Sequence, residues 1–442
     1  MKLIEPRNLK GFRDYLPKDQ IVRARMLEKI KLVFERFGFE PLDTPVLEHE
    51  DVLTGKYGEE GEMLMYRFKD NGDRKVAMRY DLTVPLARVV AQYSNELPKF
   101  FKRYQIAPVW RAENTQRGRY REFYQCDADV VGAEVGIADA ECIAIAEQII
   151  RELGIKKFKI KISNRKILNA IMLTAKVPAD KIVVAIRAID KIDKIGAKAV
   201  SAELQEKIGM TVNEAEGLIR LTSTKVPDVG ALKVFMNKYI LKQPQGQQGF
   251  EELNKVFMVL KEMGVKNLEI DLALARGMDY YTSTIFEAAI LEKSKEGSFS
   301  SVAGGGRYDK LINLFTGKDI PAVGISIGID RLFSAMLELN LVDKQNVVDV
   351  LILNMNKELE ADYINIVTEL RAAGINSEVY YQQADMKKQF TFAEAKSIPY
   401  AILFGENEKK KGQVTVRDLK TRKQVELKAK DLVKQVKKLL RS

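Results

Sequence analysis

The amino-acid sequence predicts an α+β domain interrupted by a helical stretch and followed by a small α/β domain. Three observations carry that prediction. A long charged hairpin between strand-type segments marks the early part of the chain. Helical periodicity without strand signals runs from about residue 165 to about residue 266. From about residue 347 onward, strands and helices alternate. The expected domains are therefore 1–340, with the insertion at about 165–266, and 347–442.

Each element has its own signal. Ile21, Leu27, Ile30, Phe34 and Phe37 recur at helical spacing, and Gly38 stands where a helix would end. Two prolines then bracket FEPLDTPVLE, which suits an edge or a loop. Arg74–Arg79 reads as a strand and Pro85–Tyr93 as a helix. Phe101–Trp110 and Tyr120–Val131 read as the arms of the hairpin, joined by the charged loop Arg111–Arg119. Ala138–Leu153 is helical, and Lys157–Ser163 alternates like a half-buried strand. After the insertion, strand signals resume at Asn267–Leu274, Thr284–Leu291, Ser300–Gly304 and Val323–Ile327, and a helix begins at Gly328. In the last domain the expected strands are Val348–Leu353, Ser377–Tyr381, Tyr400–Phe404, Gln413–Arg417 and Gln424–Leu427. The expected helices there are Glu358–Ala373, Met386–Lys396 and Lys430–Leu440. That alternation argues for a mostly parallel sheet.

The chain has 442 residues, of which 46% are hydrophobic and 30% charged, so it has ample material for real cores. No apolar run approaches the roughly 18 residues of a membrane span, and the first residues lack a secretion-signal pattern; a cytoplasmic location is the expectation. The net charge of +11 fits a solvated basic surface or a polyanionic partner, and alone it does not choose. Two cysteines, Cys126 and Cys142, make neither a disulfide framework nor a zinc site. A single histidine, His49, rules out a multi-histidine metal centre and reads as a surface residue.

Three arginine-bearing segments concentrate the chemistry. They are FKRYQIAPVWRAENTQRGRYREFYQCDADVVG, ending at Gly132; LARGMDYYTSTIFE, Leu274–Glu287; and AVGISIGIDRL, Ala322–Leu332. No phosphate-cradling glycine loop accompanies them: the triplet Gly304–Gly306 is not G-x-G-x-x-G, and Gly317-Lys318 is followed by Asp319. A nucleotide site without such a loop must hold phosphates with fixed guanidinium groups. The triplet itself fits a tight strand–helix turn, or a place where small residues let a ligand approach the backbone, with Arg307 beside it. On the returning hairpin arm, Gln125, Asp127 and Asp129 share one strand face.

These segments resemble the histidyl-tRNA synthetases, a family of class II aminoacyl-tRNA synthetases, over nearly the whole chain. Phe34–Glu48, with Pro45, is similar to motif 1, the hairpin to motif 2, and Gly324–Leu332, ending near Arg331, to motif 3. The runs LARGMDYYTSTIFE and SVAGGGRYDKL are particular to the histidine enzymes. RYDLT at Arg79–Thr83 and REFYQCDADVVG resemble the archaeal and eukaryotic-like branch more than the common bacterial one. Lys310 stands where the family often has glycine.

The resemblance implies a central, mostly antiparallel sheet of the class II synthetase fold in the first domain. It also implies a two-step reaction. The carboxylate of L-histidine attacks the α-phosphate of ATP, releasing pyrophosphate, and the terminal ribose of tRNA(His) then accepts the histidyl group. By that likeness Arg111 clamps the α-phosphate and Arg331 the γ-phosphate end. Arg276 stands beside both the amino-acid carboxylate and the α-phosphate, and Glu113 neighbours ATP or Mg2+. Magnesium bridges phosphate oxygens, and no protein-only metal cage is expected. Asp81, Thr83 and Gln125 match the acceptors of the substrate ammonium. Asp129 accepts from one imidazole nitrogen, and Tyr281 or Tyr280 faces the other. Arg119, Arg121 and Arg307 are further candidates for lining the site. For the tyrosine pair the plain alternative is core packing, and for the lysines of the last domain it is a solvated helix face. The last domain is expected to bind the anticodon stem and loop, the insertion to touch the acceptor arm, and motif 1 to build a homodimer. Two other readings compete: a non-catalytic synthetase-like paralogue, and a class II synthetase for proline, threonine or glycine. Intact Arg111, Arg276 and Arg331 weigh against the first, and the RGMDYY run against the second.

Overall fold

A hairpin with ten residues in each arm sets the register of the large sheet. In the computed structural model, which describes residues 3–55, 58–115, 119–240, 243–275, 280–294, 297–299, 301–342 and 346–441, the chain divides into two units. One comprises Met1–Asp14 with Arg25–Leu341, the other Tyr15–Ala24 with Val342–Ser442.

The larger unit is built on eight strands: β1 (Glu40–Pro41), β2 (Phe101–Trp110), β3 (Glu122–Val131), β4 (Phe158–Asn164), β5 (Leu268–Ile270), β6 (Thr284–Ile290), β7 (Ala303–Arg307) and β8 (Ala322–Gly328). Their spatial order is β1-β2-β3-β8-β7-β6-β4-β5. Only the outer pairs β1–β2 and β4–β5 are parallel; every other neighbouring pair is antiparallel. This is the mostly antiparallel sheet that the resemblance implied.

Side chains alternate across the sheet, so register assigns each to a face. One face carries Phe101, Arg103 and Gln105 of β2, Val131, Asp129, Asp127 and Gln125 of β3, and Ala322, Gly324, Ser326 and Gly328 of β8. Gly304 and Gly306 of β7 continue it. At one end of this face Phe101, Val131 and Ala322 join an apolar cluster with Tyr308 and with Val84, Leu86, Ala87 and Val90. Those last four lie on a helix over Thr83–Gln92. Beyond Arg103 and Asp129 the face turns polar. A small three-stranded sheet, with Lys75–Met78 between Leu47–His49 and Arg67–Lys69, contributes Ala77 to the same apolar cluster. His49 is exposed on its edge.

The opposite face is apolar and helix-covered. The helix Ile137–Glu152 packs across β8, β7 and β6. The stretch Arg25–Arg36 of the first helix buries Met26, Ile30, Val33 and Phe34, with the Phe34 ring 5.6 Å from that of Tyr104. The insertion is helical as expected, with helices at Arg165–Thr174, Ile182–Ile189, Ile192–Ile208, Val212–Thr222, Val229–Tyr239 and Pro244–Glu262. Their starts are written locally. Asn164 accepts from the Lys166 N–H, Asp228 from that of Ala231, and Thr211 and Glu214 form a reciprocal cap.

In the second unit five strands order as Ser377–Val379, Val350–Ile352, Tyr400–Leu403, Gln413–Asp418, Gln424–Lys428. The first two pairings are parallel and the last two antiparallel. The sheet is thus mixed rather than mostly parallel. The physical reason is the short link between the last two strands, which permits a hairpin and not a crossover. A short helix, Glu406–Lys411, was not expected. It starts where Glu408 accepts from the Gly405 N–H (3.0 Å) and ends at Gly412 in the left-handed region.

Two further expectations changed. The glycine triplet is not a strand–helix turn: Gly304–Gly306 lie inside β7 between two partner strands. The 267–274 strand shrinks to Leu268–Ile270.

Candidate active site

The polar part of the sheet face gathers charges that have little apolar reason to be buried. Arg103 has no exposed surface, and Asp127 and Asp129 are each 2% exposed. The Arg103 guanidinium lies 2.8 Å from Asp129 Oδ2 and also donates to the Leu82 carbonyl (3.0 Å). The Tyr308 hydroxyl donates to Asp129 Oδ1. Asp129 is thereby held from two sides. Next along β3, Gln125 Nε2 donates to Ser326 Oγ (3.0 Å) and reaches both Asp127 oxygens at 3.4 Å. The Gln125 carbonyl oxygen is buried and has no hydrogen-bond partner.

Asp81 closes the cluster from the start of the Thr83–Gln92 helix. Its Oδ1 accepts from the backbone N–H of Thr83 (3.1 Å) and of Val84 (3.0 Å), a capping arrangement that fixes the carboxylate. The Tyr280 ring stands 5.1 Å from Tyr281 and 5.9 Å from Tyr308, edge-on to both, and its hydroxyl is bonded with Thr83. Tyr281 lies over Gly306: a side chain there would meet its ring at 2.8 Å. Gly324 has a parallel reason, since a Cβ would fall 1.8 Å from Asp129 Oδ1.

The electrostatics follow from burial. Withdrawal from water, reinforced by the charge of Asp129, pushes the Asp127 carboxyl up to about 7. Burial also raises Asp129, while Arg103 and Tyr308 pull it back. The phenols of Tyr280 and Tyr308 are both raised well above the ordinary range, first by burial. Among the described residues, three carboxylates (Asp81, Asp127, Asp129) thus surround one guanidinium, and a cationic ligand would balance them.

The arginines of the hairpin sit at its loop end. Arg111 Nε donates to the Tyr80 carbonyl (3.0 Å), and its guanidinium stacks 4.5 Å from the Tyr80 ring and 5.1 Å from that of Phe123. Glu113 accepts from Arg119 through its carboxylate and from Arg121 through its carbonyl. Arg331, in the first turn of the helix Ile329–Glu338, donates to the Ser301 carbonyl (2.8 Å). That helix begins directly after Gly328, which faces Gln125 in register. Arg276 lies outside the described residues.

Arg307 does not line this face. It follows Gly306 in β7 and therefore points to the other side, where it is wholly buried. There it bonds Asp139 through two nitrogens (3.2 and 2.6 Å), the Ala133 carbonyl and Asp309. The reason is alternation along a strand: inside β7 successive residues face opposite sides, so Arg307 cannot share the face of Gly306.

Comparison with known proteins then decides the family. A family model described as histidyl-tRNA synthetase matches residues 11–332, and one described as anticodon binding domain matches 348–439. The chain belongs to the histidyl-tRNA synthetase family. It is 40% identical over 423 residues to a histidine–tRNA ligase of Rhodopirellula baltica, covering 95% of each chain. It is 39% identical over 433 residues to that of Helicobacter hepaticus, covering 96% of this chain and 97% of the other. A crystal structure of histidyl-tRNA synthetase from Nostoc sp. PCC 7120 superposes with a TM-score of 0.87 at 31% identity, covering 99% of this chain and all of that one. These relatives are bacterial, so the archaeal and eukaryotic-like flavour belongs to the short runs that suggested it.

The histidyl-tRNA synthetase motifs led to Asp81, Thr83, Gln125, Asp129, Tyr280 and Tyr281, and these six stand around one polar floor. Four of their neighbours, Arg103, Asp127, Ser326 and Tyr308, had not been singled out as site residues. The hairpin register would have found the first: once the arms are fixed, Arg103 faces Asp129.

Proposed function

We propose that this polar floor is where the chain captures L-histidine and that the arginines at the loop end of the hairpin receive ATP. The chain is an ATP-dependent aminoacyl-tRNA ligase: it activates histidine as the adenylate, releases pyrophosphate, and transfers the histidyl group to tRNA(His). The observation that carries the site assignment is the buried cluster of Asp81, Gln125, Asp127 and Asp129 around Arg103. Its excess of acceptors and negative charge suits a substrate bearing an ammonium and an imidazole N–H.

Asp81, Thr83 and Gln125 receive the ammonium. Asp129, oriented by Arg103 and Tyr308, retains lone pairs for one ring nitrogen, and Tyr281 or Tyr280 meets the other. A pocket that hydrogen-bonds polar edges rejects apolar analogues by about 10⁴-fold or more, because they leave its buried groups unpaired. Arg111, pinned between two rings, meets the α-phosphate, Arg331 the γ-phosphate end, and Arg276 the carboxylate and α-phosphate together. Joining two anions demands such preorganised positive charge. Glu113 and the salt-bridged Arg119 and Arg121 rim this end. A hard cation such as Mg2+ takes oxygen ligands, mostly phosphate oxygens with one or two carboxylates, and Glu113 is a carboxylate of that kind; bound there, the ion would neutralise phosphate charge.

The remaining parts of the reading are coarser. The 347–442 domain binds the anticodon stem and loop, its lysines meeting phosphates. The 1–340 domain carries catalysis, with the 165–266 insertion toward the acceptor arm. The chain works as a homodimer through its motif 1 region, in the cytoplasm. Purified protein is expected to exchange pyrophosphate into ATP with histidine and with none of the other nineteen amino acids. Exchange with proline, threonine or glycine, or none in a folded preparation, would overturn the assignment.

A further inference from the structure

Asp127 is the one carboxylate of the floor to which the family motifs gave no task, and its surroundings suggest one. It rests on the site reading above. Among the described residues Asp127 forms no ion pair. Asp129 has the guanidinium of Arg103 at 2.8 Å and the hydroxyl of Tyr308, and Asp81 has two backbone N–H groups. Around Asp127 stand the Gln125 amide, the Ser326 hydroxyl, and at longer range Asp129, Arg103, Asp81 and Tyr280.

Either end of the Gln125 amide can be turned away from its strand neighbours. The two acceptors on its strand side, Asp127 and Ser326 Oγ, both take the NH2 end, which leaves the carbonyl oxygen buried and without a partner. An ammonium needs an acceptor in that place, not a donor. We propose that Asp127 is the positioning residue that commits this pocket to an amino acid: it turns the Gln125 carbonyl toward the substrate ammonium and supplies the spare negative charge that the ammonium neutralises.

A consequence for protons follows. In the empty pocket burial and the Asp129 charge hold Asp127 partly protonated near neutral pH. Arg103 and Tyr308 favour the charged form of Asp129, whereas Asp127 has no ion pair, so the proton shared by the pair is placed on Asp127. Arrival of the ammonium favours the charged carboxylate, so binding expels the proton. Histidine affinity, corrected for the titration of the ligand's own imidazole, then falls as pH drops below about 7.

Calorimetric titration of the full chain in buffers of different ionisation heat counts those protons. Because the imidazole of histidine titrates in the same range, wild type and Asp127→Asn are compared with one ligand at a time. At pH 7 wild type is expected to shed about half a proton more per histidine than the variant, and more still at pH 6. Asp127→Asn should weaken histidine by about 10- to 100-fold. It should weaken imidazolepropionate, which lacks the ammonium, far less. Asp127→Glu should restore the proton count. Equal counts in wild type and Asp127→Asn, or equal losses for the two ligands, would overturn the role. If Asp127→Asn does not fold, wild type alone decides with a triazole analogue of histidine that keeps the ammonium and does not titrate near pH 7; binding without proton release rejects the proposal. Histidine-dependent pyrophosphate exchange run alongside separates the two readings. Exchange without the proton signature sinks only this inference, and absence of exchange removes the functional reading with it.

Discussion

Two arginines with almost no exposed surface lie on opposite faces of one sheet, and their partners differ in kind. Arg307, on the helix-covered face, is saturated: Asp139, Asp309 and the Ala133 carbonyl occupy its fork. Arg103, on the open face, has one carboxylate and one carbonyl, while its Nε and Nη1 have no hydrogen-bond partner. A buried charge whose donors are all used is part of the architecture. One left partly unsatisfied, among more carboxylates than it can neutralise, belongs to a place where something else binds.

That contrast can be broken by substitution. The largest effect is expected from Arg307→Ala, which strands Asp139 uncompensated in the interior. Stability measured by urea unfolding should fall by about 3–5 kcal/mol, with histidine-dependent exchange per folded molecule much less affected. Arg103→Met should cost less, about 1–3 kcal/mol, because fewer of its donors are engaged. Its sharper consequence is chemical. Losing the cation raises the proton affinity of Asp127 and Asp129 further, so exchange at pH 7 should drop and recover partly as pH rises. If the two variants behaved alike in both assays, the distinction between the faces would fail. The smallest effect belongs to neither face: Lys396→Gln removes a half-exposed pair with Glu378 (2.7 Å) in the second unit and should change its stability by under about 1 kcal/mol.

Much of this was legible beforehand. The hairpin arms were readable from alternation around a charged loop, and the helical insertion from its uninterrupted period. Motifs point to Asp81, Thr83, Gln125 and Asp129, and the fold brings the four to one polar floor. Arg103 and Asp127 were harder, because a charged residue on a strand ordinarily signals a solvated face; only the cross-strand register reveals that these charges face one another indoors. The orientation of Arg307 is not legible because glycines suggest turns, whereas here they let Tyr281 and Asp129 crowd the strands. The mixed sheet of the second unit escaped for a different reason: a period of two is the same in parallel and antiparallel strands.

The two cysteines, neither of them in a disulfide, gain a use from this layering. Cys126 sits on β3 between Gln125 and Asp127 but points to the reverse side, and Cys142 is on the helix Ile137–Glu152 that covers that side. Both are fully buried, and burial pushes the Cys142 thiol well up. Neither sulfur can meet a reagent in bulk solvent while the helix stays seated, so the rate at which the chain consumes an alkylating dye times the lifting of that helix from the back of the polar floor.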